Sequence, residues 1–119
     1  MKRAWLPLFL LLALPAPAAR AAPQAPAARA KPRLVFFMNP HGRPCQMQDQ
    51  ILRDMGAELG PRVEVVYLKT TEPRDIDLFR QYGIRSLPML LVTDAAGKEL
   101  RRATPGIQSP AQVRQLVGG

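Results

Sequence analysis

The chain has 119 residues, with 17 Lys and Arg against 9 Asp and Glu, 13 prolines, one cysteine and one histidine. That length accommodates one domain and no second, and a hydrophobic content of 47% argues against wholesale disorder. A single cysteine excludes an intrachain disulfide and a cysteine-rich zinc site. Residues 1–33 hold six bases (Lys2, Arg3, Arg20, Arg29, Lys31, Arg33) and no acid, which leaves eleven bases and nine acids for the remainder. The remainder therefore lacks a basic footprint, and no nucleic-acid partner is expected.

Residues 1–21 have the pattern of a secretory signal. Lys2 and Arg3 form a positive start, and Trp5 to Leu14 is an apolar run broken only by Pro7. A bilayer span needs about 20 such residues, so the run is too short to cross one. Small-residue sites at Ala19-Arg20-Ala21 and Ala28-Arg29-Ala30 place cleavage after Ala21 or after Ala30. Residues 22–32 are an Ala/Pro-rich linker, and residues 33–119 form the domain. The pattern implies export, into the bacterial periplasm, with membrane contact only through the leader where it stays uncleaved.

Leu34 to Met38 is apolar on both faces and predicts a strand buried between two layers. Asn39-Pro40-His41-Gly42-Arg43 breaks it with turn formers, and Pro44 opens a helix. Met47, Ile51, Leu52, Met55 and Leu59 give that helix one apolar stripe, ended by Gly60-Pro61. Val63 to Leu68 predicts a second strand. Pro73 opens a second helix with Ile76, Leu78, Phe79 and Tyr82 as its apolar positions and Gly83 as its stop. Pro88 precedes a third strand, Met89 to Val92. A turn at Asp94 to Gly97 leads to a fourth, charged strand, Lys98 to Ala103, suited to a solvated sheet edge at Arg101-Arg102. Ser109 caps a last helix that starts at Pro110 and carries Val113, Leu116 and Val117. The order β-α-β-α-β-β-α predicts an α/β fold with a four-stranded mixed sheet and helices on both faces.

Specific residues resemble the thioredoxin-like superfamily. The segment Tyr82-Gly83-Ile84-Arg85-Ser86-Leu87-Pro88-Met89-Leu90-Leu91 is similar to the one that ends in the family's cis-proline and enters its central strand. Phe36 to Met47 is similar to the family's strand, active-site loop and helix start. Gly97-Lys98-Glu99 and Gly106 to Pro110 resemble its hairpin and its approach to the last helix. The likeness covers nearly all of residues 33–117, and the initial β-α pair of full-length thioredoxins is missing or replaced by the linker.

The resemblance implies a thioredoxin-like fold, a cis-proline at Pro88, and a substrate-binding position at Leu87 and Pro88. It places Gly42-Arg43-Pro44-Cys45 on the Cys-x-x-Cys motif. Cys45 keeps the second cysteine, while Gly42 replaces the first, attacking one. His41 stands where many thioredoxins have Trp, and Phe36 where they have a buried acid that moves protons. Cys45 is the candidate catalytic thiol. A first helical turn favours negative charge there, with Arg43 and His41 close in sequence. Against this, the family's second cysteine is generally covered by the first, and buried thiols are inert.

Without a second thiol the chain cannot complete a dithiol–disulfide cycle alone. As an enzyme it would be a thiol–disulfide oxidoreductase needing an external thiol. Its partners would be protein thiols or disulfides, or glutathione-like thiols, and an unpaired Cys45 in an oxidising compartment is free to pair between chains. The alternative is a non-catalytic module that holds an extended peptide beside Pro88. Met38, His41, Cys45 and Met47 are soft ligands suited to Cu(I). Met38 and Met47 both fit core-facing positions, however, so no metal or cofactor is expected.

Overall fold

The computed structural model describes residues 30–118. The expected signal peptide and most of the expected linker lie outside the described residues. In chain order the elements are β1 (Arg33–Met38), α1 (Arg43–Asp54), α2 (Gly56–Leu59), β2 (Glu64–Lys69), a 3-10 turn (Pro73–Asp75), α3 (Ile76–Gln81), β3 (Met89–Thr93), β4 (Glu99–Arg102) and α4 (Pro110–Gly118). The strands form one sheet in the order β2-β1-β3-β4. β1 and β2 are parallel, and the other two pairings are antiparallel. This is the four-stranded mixed sheet expected from the sequence.

β1 is apolar on both sides because both its faces are covered. Leu34, Phe36 and Met38 pack with Cys45, Leu52, Met55, Leu59, Val113 and Val117, which belong to the α1–α2–α4 layer. Val35 and Phe37 point the other way, into a cluster with Leu68, Met89 and Leu91 that α3 covers with Leu78 and Phe79. Phe36 and Phe37 are both fully buried, and burying such a side chain contributes about 1.5–3 kcal/mol.

The helix expected over residues 44–59 is broken. Met55 ends α1, its N–H shared between the Ile51 and Leu52 carbonyls, and α2 restarts at Gly56. Glycine costs about 1 kcal/mol relative to alanine inside a helix, so a bend there is favoured. The apolar stripe is also rotated from the expected one. Cys45, Gln48 and Leu52 face the core, whereas Met47 is 53% exposed. Met47 is thus not core-facing. The expected second helix is a 3-10 turn followed by α3. It closes with Gly83 at φ 63°, and the N–H groups of Gly83 and Ile84 return to the carbonyls of Arg80 and Phe79. That is the paired capping pattern in which a left-handed glycine is favoured.

Ser109 and Gln112 cap α4 reciprocally, Ser109 N–H to Gln112 Oε1 at 2.8 Å and Gln112 N–H to Ser109 Oγ at 3.2 Å. The expected solvated Arg101-Arg102 edge is only half right. Arg101 donates to the Leu116 and Val117 carbonyls at the end of α4, where a cation also complements the helix dipole. Arg102 is held by Glu99 and the Tyr82 carbonyl.

Candidate functional site

The loop between β1 and α1 is built on Asn39. Its carbonyl accepts from Gly42 N–H at 2.9 Å, closing a tight turn. Its side-chain Oδ1 accepts from His41 N–H at 3.0 Å, the local bond that makes Asn a turn former. Its own N–H donates to Cys45 Sγ at 3.3 Å. Gln46 ties the loop from the helix side, Nε2 to the Pro40 carbonyl at 3.0 Å. Gly42 is the N-cap of α1 with φ −85° and ψ 129°, and its carbonyl accepts the first helical bond, from Gln46 N–H. Cys45 is therefore the third residue of the first turn, as its place after Gly42-Arg43-Pro44 requires.

The thiol is 2% exposed. It belongs to the cluster that contains Phe36 and Leu90. Where the sequence places Phe36 at the family's acid position, the structure has a fully buried ring packed edge-to-face on Tyr67, with centroids 5.5 Å apart. No carboxylate occupies that position. A Cβ added to Gly42 would lie 3.8 Å from Cys45 Sγ and 3.4 Å from the Asn39 carbonyl oxygen. Position 42 is thus within contact range of the sulfur, beside the Asn39 Cβ at 3.7 Å. His41 and Arg43 are both exposed.

The Leu87–Pro88 peptide bond is cis. Pro88 is buried and immediately precedes Met89, which pairs with Phe37. The start of β3 therefore lies beside the end of β1, the end from which Asn39 reaches the sulfur. Leu87 is half-buried and touches both core clusters. Among the described residues, Arg85, Ser86 and Leu87 make no backbone–backbone hydrogen bond, so their peptide groups are open. The soft-ligand set is split, with Met38 buried and Met47 exposed on the far side of the α1 stripe.

A chain that has this loop and this proline corner can be compared with known proteins. No family model matches it. A thioredoxin-like protein of Synechocystis sp. is 36% identical over 87 residues, which cover 73% of this chain and 79% of that protein. The chain belongs to the thioredoxin-like family. Chloroplastic thioredoxin z shares 30% identity with it, covers 77% of this chain and 80% of its own, and superposes with a TM-score of 0.60. Two further structures establish the fold alone. Thioredoxin-2 of the malaria parasite, a component of its protein secretion machinery, has 18% identity, a TM-score of 0.64 and coverage of 74% and 82%. A thioredoxin-like protein from Clostridium perfringens has 17% identity, a TM-score of 0.66 and coverage of 75% and 70%.

Within this thioredoxin-like protein the sequence left one feature of the site unmarked. Gln48, one turn after Cys45, is fully buried. Its Oε1 accepts from Gln108 N–H at 2.6 Å and its Nε2 donates to the Gln108 carbonyl at 3.1 Å. Gln108 in turn holds the Thr104 and Gly106 carbonyls. The pair fastens the loop before α4 to the helix that carries Cys45. A signal was present, because position 48 lies three residues after Cys45 and four before Leu52, on the buried stripe.

Proposed function

We propose that this thioredoxin-like protein holds an extended partner segment at the corner formed by Leu87, Pro88 and the Asn39–Cys45 loop, and does not cycle between dithiol and disulfide. The observation that carries this is the state of the one thiol: Cys45 is 2% exposed, tied to Asn39 N–H, and position 42 supplies no attacking sulfur. The open peptide groups of Arg85 to Leu87 give an extended segment backbone to pair with, the usual source of affinity in strand addition. The leader pattern, Lys2 and Arg3 before a short apolar run, supports action after export, in the periplasm.

The test uses oxidised glutathione and insulin as reference disulfides. The natural protein is expected neither to reduce insulin nor to form a mixed disulfide with glutathione at neutral pH. A glutathione adduct that forms readily and disappears in Cys45→Ala would overturn the binding reading. That outcome would favour a second one, monothiol exchange through Cys45 with an external thiol as resolving partner. The second reading has its own observation, the closeness of position 42 to the sulfur, 3.8 Å from a Cβ built there.

A further inference from the structure

The two edges of the sheet are finished differently. β4 is short, charged and bulged opposite Val92 and Thr93, the devices that keep an edge from pairing with another chain. β2 has none of them. Its run Glu64-Val65-Val66-Tyr67-Leu68-Lys69 is regular throughout its register with β1, rich in β-formers, and free of proline and of charge between its ends. Among the described residues no strand lies on its outer side.

The hydrogen bonds show which groups that edge offers. Glu64 N–H donates to the Pro32 carbonyl and Thr70 N–H to the Met38 carbonyl. In a parallel ladder every second residue bonds the same neighbour. Glu64, Val66 and Leu68 therefore turn their backbone groups to β1, and Val65, Tyr67 and Lys69 turn theirs outward. The outward N–H of Lys69 is already taken, by Asp75 Oδ2 at 2.9 Å. What remains open for full pairing is the N–H and carbonyl of Val65 and of Tyr67.

We propose that two copies of this chain pair through β2, antiparallel about a two-fold axis at Val66, joining two four-stranded sheets into one. With the axis at Val66, Val65 of each copy exchanges both backbone bonds with Tyr67 of the other, so every open group finds a partner. Centring the axis on Tyr67 instead would oppose Val65 to Lys69, whose N–H is spent on Asp75. Centring it on Val65 would carry Tyr67 past the strand's first residue, to Val63. Direction follows from the open groups themselves, since in the antiparallel register Val65 and Tyr67 stand directly opposite and exchange both bonds. Glu64 and Lys69 lie on opposite faces of the strand and add no ion pair across the axis, and Glu64 already faces Arg33 at 3.7 Å.

Val66 also borders a groove of about 260 Å³ on the α3 face, lined by Val35, Leu68 and Leu78 on its apolar side and by Arg33, Gln81 and Thr93 on its polar side. The axis brings the two Val66 side chains together, each already packed against the apolar cluster of its own copy. The chain's own linker is a poor rival for the edge, since Pro23, Pro26 and Pro32 remove the donors a strand needs.

Sedimentation equilibrium on the full purified chain is expected to give twice the single-chain mass. Val66→Lys sets two ammonium groups at the axis and is expected to halve that mass with the far-UV spectrum unchanged. Val66→Cys, in a Cys45→Ala background, is expected to form a disulfide-linked dimer. Opposed Cβ atoms at a non-hydrogen-bonded antiparallel pair lie about 4.5–5.5 Å apart, close to the disulfide range. Should Val66→Lys not fold, amide exchange in the natural protein decides: Val65 and Tyr67 are expected to be protected in the dimer and to lose that protection on dilution. A monomer with freely exchanging Val65 and Tyr67 overturns the proposal. So does a monomer in which they stay protected at every concentration, which would mean that the chain covers its own edge. A dimer that neither variant affects also overturns it, because its interface lies elsewhere.

Discussion

On the α1–α4 face of the sheet, polar groups sit among the apolar ones: the buried Gln48–Gln108 pair, the buried Cys45 thiol on Asn39 N–H, and half-buried Tyr67, whose hydroxyl donates to Asp49. On the α3 face, the buried cluster of Val35, Phe37, Leu68, Met89 and Leu91 is apolar, and the buried hydroxyl beside it, Thr93, bonds only the adjacent Asp94 carbonyl. The cluster is completed by Phe37 packing edge-to-face on Phe79 and Tyr82, with centroids 5.0 and 5.8 Å away. The α3 face supplies cohesion that depends on volume. The α1–α4 face supplies position, because each polar group there is satisfied by one particular partner. The candidate site lies where position is controlled.

The largest expected effect tests the apolar face. Phe37→Ala removes a fully buried ring and both aromatic contacts. It is expected to destabilise the fold by about 3–5 kcal/mol, read as a lowered urea midpoint. A loss below about 1 kcal/mol would mean that this face is not packed as described.

Gln48→Leu tests the polar face, and its expected sign is the informative part. The side chain becomes more apolar in a fully buried place, yet the Gln108 N–H and carbonyl lose their partners. Orphaned buried groups cost about 1–3 kcal/mol, more than the change gains by transfer, so destabilisation is expected. The amides from Thr104 to Gln108 should exchange faster. A stabilised variant would show that Gln48 fills space and positions nothing.

Tyr67 gives the comparison a pH dependence. Burial, and then the Asp49 carboxylate that accepts its hydroxyl proton, push its pKa from 10.0 up to about 12. The folded state therefore keeps a proton that the unfolded state has already lost, and stability falls as pH rises from 10 to 12. With allowance for solvent screening at a partly exposed ring, the loss is of order 1 kcal/mol. Urea midpoints across that window are expected to fall more steeply for the natural protein than for Tyr67→Phe. Equal slopes would place the titration elsewhere.

Much of this was legible in the chain. Leu34 to Met38, apolar on both sides, announced a central strand, and the turn formers after it announced the loop. Pro44, Gly83 and Ser109 marked helix ends that the structure confirms in kind. Spacing at i, i+4 puts Met47 on one stripe with Ile51 and Met55, and the structure rotates that stripe. The face toward the sheet is set by the first-turn geometry at Gly42 to Cys45, which brings Gln48 inward and leaves Met47 in water. Residues such as Gln48, Asp75 and Arg101 satisfy partners 60, 6 and 15 positions away. No local pattern encodes a partner at such distances, so these roles emerge only from the fold.

The smallest expected effect on the fold bears most on the site. Gly42→Cys should cost the reduced protein no more than about 0.5 kcal/mol, the scale of an ordinary substitution. The backbone at Gly42, φ −85° and ψ 129°, suits any L-residue, and the nearest atoms to its new Cβ are at ordinary contact distances. That Cβ would lie 3.8 Å from Cys45 Sγ, near enough for a rotation of the new side chain to bring the sulfurs to bonding distance. Under mild oxidation the variant should close an intrachain disulfide, seen as two thiols lost per chain without change of mass on a non-reducing gel. It should then gain insulin reduction when supplied with a dithiol reductant. Its activity should stay low, because the buried ring of Phe36 occupies the place from which a carboxylate would accept the proton of Cys45. A folded variant that keeps two free thiols would mean that Asn39 and Gln46 hold the loop too rigidly for the sulfurs to meet. The structure would then no longer support reading Gly42 as a vacated attacking position.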